Sequence, residues 1–408
     1  MAVKKPSARA KGASQAGAGH GGRDGRRAYR RLVAKFGTSL LTGGSDQLDL
    51  QVMSALVGQV ARLRRQGVAV IVVTSGAIAA GRDRLNQTGE RRDGPGRGRA
   101  SARKDITSRQ VLASVGQSHL MQTYDRLFAE HDLVVGQTLL TRRDLADRVA
   151  YLNARNTLMA LLELGAVPVV NENDVVAVEE IESALIGDND NLSSLVANLV
   201  DADLLALLTD TGGLYTTDPR RDQSAQLVPR VERITPEIER LASDTETRHG
   251  VGGMITKLQA AKLATAGGAD VVIASGHEPN ALERLVKGEA LGTLFPATTD
   301  RMESRKRWML AGLAARGKIV IDAGATKALL SQGRSLLAAG VHEVAGRFDR
   351  GDTVSIYADD GRRIAIGVTS YGREDVAAIR GVRSDRIAQV LGHEYGAEVV
   401  HRNNLVLL

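Results

Sequence analysis

The sequence predicts an α/β protein whose main part is a three-layer sandwich around a mostly parallel β-sheet, followed by a small β-rich domain. Three observations indicate this fold class. Short β-branched apolar runs alternate with longer helical patterns between residues 30 and 285, closely spaced strands and turns follow after about residue 312, and 408 residues suffice for two domains. Because aromatic residues make up only 3% of the chain, the core must be built from Val, Leu, Ile and Ala.

Six apolar runs predict the strands of the parallel sheet. They lie at residues 32–33, 68–73, 134–140, 167–170, 204–208 and 271–274. Helices are predicted between them, most clearly over 50–65 and 152–164, where apolar residues recur at helical spacing. Continuous apolar runs are typical of strands that helices cover on both faces, and such sheets bind ligands beyond the carboxyl ends of their strands.

The C-terminal part shows a different pattern, which predicts a separate small domain. Short strands are predicted at 318–321, 341–344, 353–357 and 363–368, with one helix over 325–332. Asp359, Asp360 and Gly361 form a hairpin signal between the last two strands. The predicted boundaries are 29–290 for the first domain, 291–311 for a linker and 312–400 for the small domain.

The formal net charge of +7 is concentrated in two segments rich in Gly and Arg. Residues 1–31 hold nine Lys or Arg against Asp24 alone, and a second basic cluster lies within 82–109. Both segments have almost no apolar side chains that could be buried. This predicts a disordered basic tail over 1–28 and a disordered insertion at about 86–104. The remaining chain is mildly acidic, so the basic excess does not indicate a protein body that binds nucleic acid.

Composition and motifs exclude several classes of protein. The chain has no cysteine, which excludes disulfides, thiolate zinc sites, iron–sulfur clusters and cysteine nucleophiles. No apolar run approaches the roughly 20 residues that span a bilayer, and no secretory apolar region is present, so no membrane partner and a cytoplasmic location are expected. The Walker A pattern, the protein-kinase triplets and the H-E-x-x-H motif are absent.

Glycine-rich and polar segments follow the predicted strands. They are 35–39, 74–81, 171–174 and 209–215, with two further insertions at 187–191 and 251–257. Glycines let the backbone approach a ligand and direct N–H groups at its oxygens. Two lysines, Lys35 and Lys257, stand beside such turns, and two point cations with backbone N–H groups suit a transferring phosphoryl group.

The segments that carry a specific resemblance lie along almost all of residues 30–285. They are VAKFGTSLLTGG (33–44), VTSGAIAAGR (73–82), VGQ (115–117), LLTRRD (139–144), LNARNTL (152–158), NENDVVA (171–177), GDNDNLS (187–193), LLTDTGGLYTTDPR (207–220) and GGMITKLQAA (252–261). Together they resemble the amino-acid kinase family. KFGTS and GGMxTK recur broadly in that family, whereas TSGAIAAGR with NEND and GDNDNLS resembles the narrower group that phosphorylates glutamate.

The resemblance implies a role for each site residue. Lys35 and Lys257 would contact ATP phosphates and stabilise the transferring group, and Asp190 would hold both lysines. The substrate-binding residues implied are Ser75, Asp174, Asn189 and the neighbouring Asp188. The ATP-binding residues implied are Lys35, Thr209, Asp210, Val251, Gly252, Gly253, Met254, Ile255, Thr256 and Lys257. Mg²⁺ is expected as the partner of the phosphates, and Val251 stands where the family usually has Thr.

The reaction implied is ATP-dependent phosphorylation of the side-chain carboxylate of L-glutamate to L-glutamyl 5-phosphate, the first step of proline biosynthesis. The carboxylate is ionised at neutral pH, so no general base is needed. The resemblance also implies proline as a feedback inhibitor, a homo-oligomer (dimer or tetramer) and hand-over of the product to glutamyl-phosphate reductase.

The small domain resembles a PUA domain through residues 336–341, 346–352 and 367–371. PUA modules usually bind RNA, but residues 312–408 hold 13 Lys or Arg against 11 Asp or Glu and only four aromatic residues. RNA is therefore not an expected partner. Two alternatives stay open: another member of the kinase family, acting on aspartate, acetylglutamate, carbamate or UMP, and an RNA-binding PUA protein.

Overall fold

The computed structural model describes residues 29–45, 47–87, 106–177, 189–243, 253–299 and 315–408. The predicted tail over 1–28 and nearly all of the predicted insertion lie outside the described residues, although the helix Ala77–Gln87 takes in the first two positions of that insertion. Three predicted site residues, Asp188, Val251 and Gly252, also lie outside them.

The first domain is built around a seven-stranded sheet with the strand order β3-β4-β2-β1-β5-β6-β7. Its strands are β1 (Arg31–Phe36), β2 (Ala69–Thr74), β3 (Val135–Leu140), β4 (Val167–Glu172), β5 (Leu204–Thr209), β6 (Asp270–Ser275) and β7 (Thr293–Phe295). Strands β1 to β6 pair in parallel, and β7 pairs antiparallel with β6. The prediction of a mostly parallel sheet is confirmed.

Helices cover both faces of this sheet. They are α1 (Thr38–Thr42), α2 (Leu50–Arg65), α3 (Ala77–Gln87), α4 (Ile106–Ala129), α5 (Arg142–Ala146), α6 (Arg148–Glu163), α7 (Asn189–Leu199), α8 (Pro236–Ser243), α9 (Met254–Ala266) and α10 (Ala281–Val286). One buried core joins the sheet to α2, α4 and α10, and a second joins it to α6, α7 and α9. Within the described residues, no helix combines the length and the apolar character needed to cross a membrane.

Successive side chains of each strand point to opposite faces, and this alternation divides the two cores. In β1, Leu32, Ala34 and Phe36 enter the core on the α2 and α4 side, whereas Val33 enters the core on the α7 and α9 side. Lys35 shares the parity of Val33. The lysine therefore leaves the sheet on the face that α7 and α9 cover.

Two glycines bring α3 and α4 into backbone contact. A Cβ at Gly116 would lie 1.8 Å from the carbonyl oxygen of Ala77, and a Cβ at Gly81 would lie 2.0 Å from that of Leu112. Since only two residues separate the end of β2 from the start of α3, this packing fixes α4 against the carboxyl end of β2.

The second domain has a five-stranded sheet in the order β10-β8-β11-β12-β14 and its own core. Its strands are β8 (Gly317–Ile321), β9 (Leu336–Leu337), β10 (Val341–Gly346), β11 (Thr353–Ala358), β12 (Arg363–Val368), β13 (Glu398–Val400) and β14 (Leu405–Leu407), and its helices are α11 (Ala323–Gln332), α12 (Arg373–Ala378) and α13 (Ile387–Leu391). Two boundaries differ from those predicted. The first sheet includes β7, past residue 290, and the second includes β14, past residue 400, because three-residue edge strands leave too short an apolar run to recognise.

The two domains touch at the first turns of α6. Arg148 donates a hydrogen bond to Oγ1 of Thr353 at 3.0 Å, and the guanidinium of Arg350 hydrogen-bonds Oδ1 of Asn153. Arg350 also lies over the ring of Tyr395, 3.9 Å from its centroid. Because α6 starts shortly after β3 ends, the second domain meets the first at the carboxyl edge of the sheet.

Candidate active site

Two lysines and one aspartate form a buried cluster at the carboxyl ends of the central strands. Lys35 Nζ on β1 lies 2.6 Å from Asp190 Oδ1 in the first turn of α7, and Lys257 Nζ on α9 lies 3.4 Å from Asp190 Oδ2. The three side chains are at most 10% exposed. Together they carry one net positive charge in a poorly hydrated position, which favours a bound anion.

The charges of this cluster determine its protonation. Burial lowers the pKa of Lys35 below its ordinary value, and the carboxylate of Asp190 opposes that effect. Burial alone would raise the pKa of Asp190, but the ammonium groups of Lys257 and Lys35 outweigh it and hold this pKa at about 2. Asp190 is therefore an ionised anchor at neutral pH and cannot serve as a proton acceptor.

The N-terminus of α9 lies beside the same aspartate. Thr256 donates from Oγ1 to Asp190 Oδ2 at 2.8 Å, and this hydroxyl also lies 2.8 Å from the carbonyl oxygen of Gly253. Gly253 occupies the cap position of this 13-residue helix and has no side chain with which to cap the first N–H groups. Free N–H groups and the helix dipole favour phosphate oxygens. Met254 and Ile255 form the same first turn.

A second set of polar side chains lies where β2 ends and α7 begins. Asn189 donates from Nδ2 to Ser75 Oγ at 2.9 Å, so the hydroxyl hydrogen of Ser75 is available for another acceptor. Within the described part of the chain, Oδ1 of Asn189 is buried without a hydrogen-bond partner. The Ser75 hydroxyl is therefore an available donor and Asn189 Oδ1 is an available acceptor. Both adjoin Asp190, which follows Asn189 in the chain.

Asp174 lies in the turn that follows β4, at the same edge of the sheet. Burial raises the pKa of its carboxyl to about 6, and the positive charge of Arg109 on α4 opposes the shift. A cationic partner, such as an α-ammonium group, would stabilise the ionised form of a carboxyl group in this environment.

Thr209 is the last residue of β5, the neighbour of β1 on the other side, and Asp210 follows the strand. Thr209 Oγ1 donates to Asp210 Oδ1 at 2.9 Å. The charge of Asp210 contributes to raising the pKa of Lys35, which places Asp210 near the lysine. The structure thus brings Lys35, Asp190 and Lys257 together, with Asn189, Thr256 and Asp210 beside them.

One pair of polar residues at this edge received no role from the sequence. Asn171, at the end of β4 and 2% exposed, donates from Nδ2 to Oε1 of Gln117 on α4 at 2.7 Å. Both residues lie in segments that carry the family resemblance, VGQ and NEND, but Gln117 sits within a helix and not after a strand. The signal that could have identified Gln117 is its position directly after Gly116, because this glycine packs closely against another helix.

In the part of the chain that the structure describes, no group of three or more His, Asp or Glu side chains could hold a metal ion. Both oxygens of the single acidic group in the lysine cluster face ammonium groups, so Asp190 is not available as a ligand of a divalent ion.

Comparison with protein families identifies both domains. Residues 30–275 match the model of the amino acid kinase family, and residues 317–391 match the model of the PUA domain. These ranges coincide with the parallel sheet and with most of the β-rich domain.

Several relatives match along nearly the whole chain. A glutamate 5-kinase from Dehalococcoides mccartyi is 50% identical, with 93% of this chain and 99% of the relative covered. Glutamate 5-kinases from Herpetosiphon aurantiacus and Pasteurella multocida are 49% and 48% identical, each match covering 93% of this chain and 98% and 99% of the relatives. With its parallel sheet, its buried lysine pair and these matches, the chain belongs to the amino acid kinase family, in the branch of the glutamate 5-kinases.

Proposed function

We propose that this protein transfers the γ-phosphoryl group of ATP to the side-chain carboxylate of L-glutamate, giving ADP and L-glutamyl 5-phosphate. The observation that carries the proposal is the buried cluster in which Lys35 and Lys257 share the carboxylate of Asp190. Its net positive charge, beside the N-terminus of α9, is suited to the charge that a phosphoryl group carries during transfer.

The acceptor itself explains why the site has no general base. A glutamate side chain is already ionised at neutral pH, so its oxygen attacks phosphorus without losing a proton. Asp190, with a pKa of about 2, takes no part in proton transfer and instead fixes the positions of both ammonium groups. Catalysis then rests on positioning the reactants and neutralising charge, which is the usual requirement of phosphoryl transfer.

The nucleotide is proposed to lie over β5 and the start of α9. Gly253, Met254, Ile255 and Thr256 present the first turn of that helix to the phosphates, and Thr209 with Asp210 borders the site on β5. Val251 and Gly252 stay predicted members of this site. Mg²⁺ would neutralise phosphate charge, and the residues described here fit an ion bound through the phosphates.

The acceptor glutamate is proposed to bind on the β2 and β4 side. Ser75 and Asn189 offer a donor and an acceptor next to Asp190, and Asp174 offers negative charge for the α-ammonium group. Asp188 stays a prediction for the same site. These positions separate the acceptor from the nucleotide, with the two lysines between them.

Several consequences of the family relationship also stay predictions for this chain. They are a place at the first step of proline biosynthesis, inhibition by proline, a dimeric or tetrameric assembly, a cytoplasmic location and hand-over of the acyl phosphate to glutamyl-phosphate reductase. The acyl phosphate is a reactive mixed anhydride, so an enzyme that consumes it directly would protect it from hydrolysis.

A hydroxylamine trap tests the proposal. Acyl phosphates react with hydroxylamine to give hydroxamates, so the purified protein is incubated with ATP, Mg²⁺, hydroxylamine and one acid at a time. Glutamate should give hydroxamate, whereas aspartate and N-acetylglutamate should give little. ADP release with carbamate or UMP tests the remaining acceptors of the family. Equal or greater turnover of any acceptor other than glutamate would overturn the substrate assignment.

A further inference from the structure

We infer that Tyr124 and Thr74 are positioning residues for the phosphoryl transfer. Their buried hydroxyls hold the carbonyl of Ser75 and thereby direct the backbone N–H of Gly76 toward the lysine cluster. This inference rests on the proposed function and deepens it, because it gives a role in the transfer step to two hydroxyls of the core. Both residues act through the peptide bond between Ser75 and Gly76.

The first observation is a chain of two hydrogen bonds behind the end of β2. Thr74 Oγ1 lies 2.8 Å from the hydroxyl of Tyr124 on α4 and 3.1 Å from the carbonyl oxygen of Ser75. A carbonyl oxygen only accepts, so Thr74 donates to Ser75, and Tyr124 donates to Thr74. In this assignment both hydroxyl hydrogens have an acceptor among the described residues.

The second observation is the burial of both hydroxyls. Tyr124 and Thr74 are 0% exposed, and the tyrosine ring packs against Phe128 with 6.3 Å between the ring centroids. Burial raises the pKa of Tyr124 above its ordinary value, so the hydroxyl stays protonated and remains a donor near neutral pH. A buried hydroxyl that loses its acceptor costs free energy, which favours this one arrangement of the chain.

The direction of the chain determines the direction of the next peptide group. Alternate residues of β2 enter the core on the α2 and α4 side, and Thr74 belongs to this set. The carbonyl of Ser75 is therefore held toward the α4 side. In a trans peptide the N–H points away from the carbonyl, so the N–H of Gly76 points toward the side on which Lys35 leaves the sheet.

The third observation is that this N–H group is unused. Gly76 is buried, and its N–H has no hydrogen-bond partner among the residues that the structure describes, whereas its carbonyl accepts from Ala80. Buried N–H groups are nearly always paired, so an unpaired one indicates a ligand. The φ angle of Gly76 is 97°, which a residue with a side chain rarely adopts.

The N–H of Gly76 faces the volume that the lysines border. Strands β1 and β2 are neighbours, with Phe36 in register with Thr74, so one strand spacing of about 5 Å separates their ends. A Cβ at Gly37 would lie 3.5 Å from Lys35 Nζ, which places this ammonium over the end of β1. A preorganised N–H beside it would stabilise the charge that develops on the transferring phosphoryl group.

The side chain of Ser75 is held separately from its carbonyl. Asn189 on α7 donates to Ser75 Oγ at 2.9 Å, on the face of the sheet opposite to Tyr124. Loss of the tyrosine hydroxyl therefore leaves this hydrogen bond in place. We expect the change to affect the transfer step more than the binding of glutamate or ATP.

Tyr124→Phe tests the inference, because it removes one oxygen and keeps the ring in the core. Without the hydrogen bond from Tyr124, the hydroxyl of Thr74 can rotate away from the Ser75 carbonyl. The kcat should fall by about tenfold, while the KM values for glutamate and ATP stay within about threefold. Thr123→Val is the matched control. It removes a buried hydroxyl on the same helix that donates within the helix to the carbonyl of His119, and kcat should stay within about twofold.

Variants of Thr74 separate positioning from stability. Thr74→Val removes the donor to the carbonyl, so kcat should fall at least as far as in Tyr124→Phe, whereas Thr74→Ser keeps the donor and should retain most of the rate. Thr74→Val also leaves the Tyr124 hydroxyl buried without an acceptor, which should lower the denaturant midpoint. Adding Tyr124→Phe to Thr74→Val should recover part of that midpoint but none of the lost kcat.

The outcomes distinguish this inference from the proposed function. A wild-type protein that forms no hydroxamate with glutamate contradicts the proposed function. A wild-type protein that does so, together with a Tyr124→Phe enzyme of unchanged kcat, contradicts only the positioning role. Recovery of kcat in parallel with the midpoint in the double variant would also overturn that role, because activity would then follow packing alone.

Discussion

Asp190 holds Lys35 and Lys257 with separate oxygens, at 2.6 Å and 3.4 Å. A single carboxylate thereby sets the distance between two cations that come from a strand and from a helix on the same face of the sheet. Thr256 donates to the oxygen that faces Lys257, which fixes the rotation of the carboxylate. The geometry of the cluster therefore depends on residues from β1, α7 and α9 at once.

Replacing Lys257 with Ala should slow the reaction far more than it weakens ATP binding. Loss of one preorganised charge contact costs on the order of 10²–10³ in kcat, and the KM for ATP should change much less if the contact acts in the transition state. Lys257→Arg should restore only part of the rate, since the planar guanidinium group of arginine does not replace a compact ammonium group. Steady-state kinetics provide the measurement.

Lys262→Ala is the control for that experiment. Lys262 lies on the same helix, and its side chain is 66% exposed beside Glu239. Its removal should change kcat by less than about twofold, as expected of a surface residue. A Lys257→Ala enzyme with near-wild-type kcat would leave Lys35 as the catalytic cation of the cluster.

Asp190→Asn should destabilise the first domain as well as inactivate it. Removing one member of a buried ionic group leaves uncompensated charge and costs about 3–5 kcal/mol of unfolding free energy. Denaturant unfolding at neutral pH measures this loss, and a change below about 1 kcal/mol would contradict the anchoring role of Asp190.

The same variant should show a defined dependence on pH. The folded pKa of Asp190 is about 2 and its ordinary value is 3.8, so the ionised form stabilises the folded state above pH 4. The stability difference between wild type and Asp190→Asn should stay constant from pH 7 to about pH 5. It should then shrink as the pH falls through 3.8 toward 2, because the wild-type carboxylate takes up a proton.

Asp174 predicts a pH dependence of glutamate binding. Its carboxyl has a raised pKa of about 6 in the free protein, so acidification below pH 6 removes the charge proposed to face the α-ammonium group. The value of kcat/KM for glutamate should fall about tenfold per pH unit below 6. The Asp174→Asn enzyme should have a low kcat/KM that does not vary over this range.

Ionisation of Asp174 should lower the stability of the folded protein, although it favours glutamate binding. A carboxyl whose pKa is raised on folding destabilises the folded state once it ionises, that is, as the pH rises through 6. Asp174→Asn should therefore be at least as stable as wild type at pH 7. A clear loss of stability would show that Asp174 has a structural role.

Removing residues 312–408 should leave catalysis intact. Lys35, Asp190 and Lys257, like the other proposed site residues, belong to the first domain, and the cores of the two domains share no residue. The hydroxamate assay on the truncated protein should give a kcat within about threefold of wild type. An inactive but folded truncation would show that the second domain completes the site.

The sequence predicted the sheet well because each central strand is buried on both faces. Val70 to Val73 and Leu204 to Leu208 are fully buried, so the apolar run and the strand coincide. The strand β7 escaped prediction because only Leu294 and Phe295 are apolar in it and it lies at an edge of the sheet. Short edge strands depend on pairing with their neighbour more than on their own composition.

Site residues that directly follow strands could be predicted from the sequence. Residues that a helix carries to the site were harder to predict. Lys35, Ser75, Asp174 and Thr209 stand at strand ends, where a parallel sheet collects its ligand contacts. Gln117 lies in the middle of a 24-residue helix, and its position depends on the close packing of Gly116. No local pattern shows which turn of a long helix will reach the edge of a sheet.

The separate cores of the two domains determine how this protein unfolds. The contacts of Arg148 and Arg350 with the opposite domain are few and polar, whereas each domain buries its own apolar cluster. Two weakly coupled units give two cooperative transitions, so one melting temperature does not describe the whole chain. A ligand of the lysine cluster would shift the transition of the first domain alone, which makes the second transition an internal reference in calorimetry.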